Sequence, residues 1–123
     1  IKDVVDILET GDAVGIAAGN AEFGPRALGN RSLLCDPRTS ENKDKVNEIK
    51  KRQLYRPFAP SILKEHVKFH YKISSKCDYS YMQYVVPTKT RDFIATQHVD
   101  KSARVHTVSD NLNDVSSLRR NMG

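Results

Sequence analysis

The fold this sequence predicts mixes helices with strands, and three observations carry that reading. Val4, Val5, Ile7 and Leu8 recur at helical spacing, and Val46 and Ile49 share one face of a second amphipathic stretch. Residues 13–18, AVGIAA, form a short continuous apolar run of the kind that buried strands show. Residues 79–86 and 103–108 alternate their side chains as strands do. At 123 residues, with 38% hydrophobic and 28% charged side chains, the chain has material for one domain with a modest core.

From the N-terminus, residues 2–9 make a short helix that Thr10, Gly11 and Asp12 stop. The apolar run at 13–18 follows as a strand covered on both faces, and it delivers residues 22–32, EFGPRALGNRS. That loop has the parts of an anion holder. Gly24 and Gly29 permit close backbone approach and unusual φ, Pro25 fixes one φ, and Arg26 and Arg31 supply planar guanidinium forks suited to phosphate or carboxylate. Residues 32–35 read as a second strand closed by Asp36 and Pro37, and Ser40 with Glu41 and Asp44 marks a helix N-terminus. This amphipathic helix covers 41–52 and ends in Lys50, Lys51 and Arg52, which complement its dipole. Pro57 and Pro60 then hold YRPFAPSIL extended.

Residues 64–72 read as a short polar helix or turn with Val67, Phe69 and Tyr71 partly buried. Its His66 and His70 have the spacing of a two-histidine metal site, but a third ligand and the glutamate of an HExxH motif are lacking, so a solvated Lys/His face is the better reading. Residues 79–86 make a strand that Pro87 ends. Residues 103–108 make another, with Arg104, His106 and Val108 on one face and Val105 and Thr107 on the other. A helix over 110–121 follows, with Asp110 as its cap and Val115 and Leu118 on its apolar side.

Composition excludes some classes. No apolar run approaches the ~20 residues that span a bilayer, and the opening IKDVVDILETGDAV lacks the layout of a signal peptide, so a cytoplasmic protein without a membrane partner is expected. Cys35 and Cys77 stand apart without CxxC spacing or a Cys/His cluster, which indicates neither a metal site nor a disulfide framework. A net charge of +5 suits an anionic partner without naming it. The chain lacks an initiating Met and stops abruptly at SSLRRNMG, as a piece of a larger protein would.

Three strings go further. GNAEFGPRALGNRSLLCDPR from Gly19, the segment carrying Lys50, Arg52, Arg56, Pro57, Phe58, Ala59 and Pro60, and QHVDKSARVHTV at 97–108 stand in that order. Together they resemble the C-terminal, YrdC-like domain of the O-carbamoyltransferases that modify nodulation factors and antibiotics. Asn20 and Ala21 replace the usual Arg-Met pair, Cys35 a small residue and Gln53 the usual Glu, while Lys101, Ser102 and His106 also depart from the pattern.

The resemblance implies an α/β domain with an open, twisted, mixed sheet and flanking helices. The three matches cover most of residues 13–108, and the domain they imply takes in residues 1–123 but lacks its C-terminal part and the separate N-terminal transfer domain. The resemblance also implies that this domain binds carbamoyl phosphate and ATP and forms carbamoyl-adenylate, with magnesium held mainly by substrate oxygens. An iron-type metal and the small hydroxyl-bearing acceptor belong to the N-terminal domain. Such a reaction asks the protein to position anions and neutralise them, and the residues carried over for that task are Arg26, Lys50, Arg56 and Arg104. Arg26, Arg56 and Arg104 are expected to face one cleft in a catalytic role, with Gly24 and Gly29 lining it.

Two other readings stand beside this one. An RNA-binding module with a basic concave surface would use Tyr79, Tyr81 and Tyr84 for stacking, although they follow no RNP-type string and the arginines are not clustered, which argues against a nucleic-acid partner. A truncated domain without activity of its own would leave an unpaired sheet edge prone to self-association.

Overall fold

The computed structural model describes residues 2–109, so the helix expected over 110–121 lies outside the described residues. Helix α1 spans Lys2–Glu9 and buries Leu8, as the helical spacing requires. Strands β1 (Val14–Ala17) and β2 (Arg31–Leu34) form an antiparallel hairpin that pairs Val14 with Leu34 and Ala17 with Arg31. Strand β1 is not covered on both faces as expected. Its residues alternate between half-buried and exposed, because the hairpin is only two strands wide and α1 packs on one side of it.

Helix α2 spans Ser40–Ile49 and stops before its basic end. Lys51 adopts a left-handed φ of 53°, its N–H donates to the Glu48 carbonyl, and the Arg52 N–H reaches back to the Asn47 carbonyl. These are the two bonds of a Schellman motif, so Lys50, Lys51 and Arg52 form the turn that ends the helix and not its last turn. The base of the hairpin is tied to α2. The Lys45 ammonium donates to the Gly11 carbonyl at 2.6 Å, and the Asn42 amide to the Asp36 carbonyl at 2.9 Å.

The remaining elements are β3 (Ser61–Leu63), α3 (Val67–His70), β4 (Val85–Pro87), a 3-10 turn at Ile94–Thr96, β5 (Ser102–Arg104) and β6 (His106–Val108). Helix α3 is only one turn long; Val67 and the following Tyr71 are fully inside, whereas Phe69, expected to be partly buried, is exposed. The strand expected over 79–86 shrinks to β4. The Asp78 carboxylate accepts from the Ser80 N–H and hydroxyl, and Met82 takes a left-handed φ of 56°, so the chain turns through the tyrosines. Pro87 is the last residue of β4, where the strand was expected to end, and an edge strand tolerates its missing N–H.

The run 103–108 divides between two partners. Strand β5 pairs antiparallel with β4, and β6 pairs parallel with β3, with Val105 between them. Because packing surrounds it at that change of partner, His106, Thr107 and Val108 are all buried, and the expected alternation of faces is lost.

The described residues thus form a mixed α/β structure whose sheets are three two-stranded pairs, two antiparallel and one parallel. Its main apolar cluster joins Ile62, Val67, Tyr71, Tyr79, Val86, Ala103 and Val105, with Ile73, Cys77 and Phe93 against them. Both cysteines are free and half-buried. Among the described residues no helix is long and apolar enough to cross a membrane.

Candidate functional site: two cationic segments joined by α2

The loop between β1 and β2 is held by a charge of its own. The Glu22 carboxylate accepts, at one oxygen, the N–H groups of Leu28 and Asn30, both at 2.9 Å. The intervening Gly29 has φ +118°, and its N–H donates to the Ser32 hydroxyl at 3.0 Å. Only glycine adopts that φ without strain. Backbone N–H groups, that of Asn30 foremost and then that of Leu28, hold the Glu22 carboxyl down to about 2.

This geometry changes the sequence reading of the loop. Glu22 already occupies amides that an outside anion was expected to meet. The Arg31 fork is also engaged, since its Nη1 donates to the carbonyls of Ala18, Gly19 and Asn30 at 2.9–3.3 Å. Gly24 shows no left-handed φ and nothing lies within 4 Å of where a Cβ would sit. Arg26 is exposed at the loop's tip and makes no hydrogen bond or ion pair with another described residue.

A second cationic segment lies between α2 and β3. Asn47 is wholly buried, and its amide donates to the carbonyls of Leu54 at 3.3 Å and Arg56 at 2.9 Å, which folds residues 52–56 against the helix end. Around that turn two cations gather at one ring. The Arg52 guanidinium carbon lies 4.4 Å from the centroid of Phe58 and the Lys50 ammonium 5.8 Å, both within cation–π range. Arg52 also donates to the Pro57 carbonyl at 3.2 Å, while its Nε is buried without a partner. Partial burial, and then the charge of the neighbouring Arg56, push the Arg52 guanidinium below its ordinary value. Among the described residues no carboxylate forms an ion pair with Lys50, Arg52 or Arg56. Like charges held together with no ion-paired carboxylate among the described residues favour an anion beside them.

Arg104, at the end of β5, is half-buried and belongs to the β4–β5 pair. The His106 N–H donates to the Pro60 carbonyl at 3.0 Å where β6 meets β3, and Arg104 stands two residues earlier, paired across β5–β4 with Val85. The structure therefore places Lys50 and Arg52 on one ring with Arg56 near Arg52, and no hydrogen bond, ion pair or ring contact among the described residues links Arg104 to them. No hydrogen bond, ion pair or ring contact among the described residues links Arg26 to this group. Arg52 was legible in the motif but received no role from sequence; the signal was the Lys-x-Arg spacing followed by Phe58.

Other features serve the site less well. A cavity of about 370 Å³ opens between the end of α1 and the start of α2, but its walls mix Glu9, Asp36 and Glu41 with Arg38 and Lys45, and it contains none of the four motif cations. Arg38 there is already paired with Asp36. The tyrosines do not form a stacking platform: Tyr79 is in the core, edge-on to Tyr84 at 5.6 Å, while Tyr81 points outward.

The family model described as "Carbamoyltransferase C-terminus" matches residues 5–118. The chain is 44% identical to nodulation protein NolNO of Sinorhizobium fredii, over 92% of this chain and 18% of that protein. It is also 44% identical to nodulation protein NolO of Bradyrhizobium diazoefficiens, over 91% of this chain and 21% of that protein. Nodulation protein U of Azorhizobium caulinodans is 36% identical, over 89% of this chain and 20% of that protein. The chain thus spans about a fifth of the length of these relatives.

Proposed function

The chain belongs to the carbamoyltransferase C-terminus family, and from that premise we propose that it is the part of an O-carbamoyltransferase that activates the carbamoyl group. It binds carbamoyl phosphate and ATP; water cleaves carbamoyl phosphate to carbamate and inorganic phosphate, and a carbamate oxygen then attacks the α-phosphorus of ATP, displacing pyrophosphate to give carbamoyl-adenylate. The observation that carries this reading is the pair Lys50 and Arg52 on the Phe58 ring with Arg56 near Arg52, with no carboxylate ion pair to them among the described residues. In-line attack at phosphorus spreads charge over phosphate oxygens, and such a site contributes by positioning and neutralising that charge.

In this proposal Lys50, Arg52 and Arg56 meet phosphate oxygens, Arg104 completes the group from β5, and Arg26 reaches the substrates from the hairpin loop. Magnesium, when bound with the nucleotide, would supply charge neutralisation and would be held mainly by phosphate oxygens. The carbamoyl group then passes to a small hydroxyl acceptor at a domain outside this chain, where an iron-type metal belongs. The three strand pairs are, in this reading, portions of one open, twisted, YrdC-like sheet in a cytoplasmic enzyme.

The test uses the full-length enzyme with Arg56→Ala, Arg52→Ala and, as a charge-matched control, the exposed Lys68→Ala. Losing a charge-assisted contact of about 1.5–3 kcal/mol weakens binding of ATP or carbamoyl phosphate roughly ten- to a hundredfold for the arginines, with the control unchanged. Pyrophosphate release that depends on carbamoyl phosphate identifies the adenylate step. Equal losses in all three variants would reduce the arginines to bulk charge and sink the site.

A further inference from the structure

Residues 23–27, the tip that carries Arg26, are all exposed, and Phe23 stands clear of the rest of the molecule. A segment so bare of packing holds a shape only if its ends are fixed. Glu22 fixes them, through hydrogen bonds that reach six and eight residues along the chain to Leu28 and Asn30. The Gly29 N–H, turned to Ser32, keeps these two amides on the Glu22 side. Arg26 plays no part in that closure, and the nearby Arg31 is committed to backbone carbonyls.

We propose that Glu22 is a positioning residue for substrate binding: its carboxylate clasps the N–H groups of Leu28 and Asn30, and so holds residues 23–27 as a preformed arch that presents the Arg26 guanidinium. This inference rests on the reading of Arg26 as a contact to ATP or carbamoyl phosphate. A flexible arginine must be ordered when its anion arrives, whereas a clasped one is ordered beforehand, and binding is tighter by the difference. The carboxylate stays ionised throughout the physiological range, so the clasp is constant and not a switch. With those amides taken, the substrate anion is met by the arginine side chain and not by the loop backbone.

The experiment is a double-mutant cycle in the full-length enzyme, with Glu22→Ala, Arg26→Ala and both together, read as KM and kcat for ATP and for carbamoyl phosphate. Trypsin cleavage after Arg26 supplies a readout that needs no activity. Glu22→Ala should raise KM on the order of tenfold, the scale of one charge-assisted contact, and speed cleavage at Arg26. Adding Arg26→Ala to it should raise KM no further, because the clasp acts through that arginine. Glu22→Gln, which keeps an acceptor oxygen for both amides, should recover most of the loss. Additive losses would make Glu22 a general structural residue and overturn the proposal. So would tighter binding of inorganic phosphate by Glu22→Ala, which would mean that the carboxylate only keeps the place of a substrate anion. Should Arg26→Ala alone leave both KM values unchanged while Glu22→Ala still speeds cleavage, the assignment of Arg26 to substrate fails, and this inference with it. An effect of Arg26→Ala without one of Glu22→Ala would refute the clasp alone.

Discussion

The β1–β2 hairpin and the unit built from β3, α3, β4, β5 and β6 are held together by different means. The buried cluster of Ile62, Val67, Tyr71, Tyr79, Val86, Ala103 and Val105 lies wholly in the second unit, and the hairpin contributes nothing to it. The hairpin's own strands are at most half-buried, and its loop is fixed by Glu22, Ser32 and Arg31 through hydrogen bonds to and from backbone. Much of the motif EFGPRALGNRS is thereby explained by what the loop does to itself: the Glu accepts, the Gly turns, the Ser receives the odd amide and the second Arg braces the carbonyls. The second unit depends on filled volume, the loop on geometry. A loop of this kind belongs to the low-stability end of a domain, where binding residues commonly sit.

The largest effect that could break the contrast is a cavity in the second unit. Ile62, 4% exposed, faces the cluster from β3, so Ile62→Ala should cost about 2–5 kcal/mol, the range for such truncations. Hydrogen exchange at Thr107, whose N–H donates to the Tyr79 carbonyl, would report it as lost protection. Glu22→Ala should leave that same amide untouched. If the loop variant lowered Thr107 protection as much as the cavity variant, the two regions would form one cooperative unit and the contrast would be wrong.

A middle-sized effect sharpens it at the segment between α2 and β3. Asn47→Ala removes the donor of the Leu54 and Arg56 carbonyls in a buried place, at a cost of about 1–3 kcal/mol. Its local signature matters more than its size. With the turn released, Arg52 should leave the Phe58 ring, and the ring-current shift of its side-chain proton resonances should vanish. Retained shifts would show that the cation–π contact, and not Asn47, sets the site.

What the sequence made legible follows the same division. Helix α1 and the hairpin strands lie within a residue of expectation, because helical spacing and Gly/Pro punctuation are local signals. The strand over 79–86 misled because an alternating pattern says nothing of Asp78 turning the backbone at Ser80, or of Met82 going left-handed. The change of partner at Val105 leaves no local trace at all. In the site, Lys50 and Arg56 were legible from their motif, whereas the place of Arg52 on Phe58 depends on the Schellman turn that Lys51 allows. Glu22 was passed over because an acidic residue among arginines reads as solvated, and the two amides it binds come near only when the loop is closed.

The smallest effect is local and tests the hairpin by acid. The folded Glu22 carboxyl is held at about 2 against an ordinary 4.5, so it binds its proton less readily in the folded loop than in the unfolded chain. For a depressed carboxyl the stabilising contribution is complete above the ordinary value and is lost as pH falls through the folded one. The clasp should therefore be intact at neutral pH, weaken below 4.5 and open near 2, and exchange of the Leu28 and Asn30 amides, corrected for intrinsic rates, should rise across that window. The Thr107 amide, buried in the second unit, should keep its protection until the loop has already opened. Salt separates this from an ion pair. The partners of Glu22 are neutral backbone amides, so raising ionic strength at neutral pH should leave their exchange nearly unchanged, whereas a charge pair at this exposure would be screened. Exchange that accelerates with salt and ignores acid would show that the loop is held by its arginines and not by the Glu22 carboxylate.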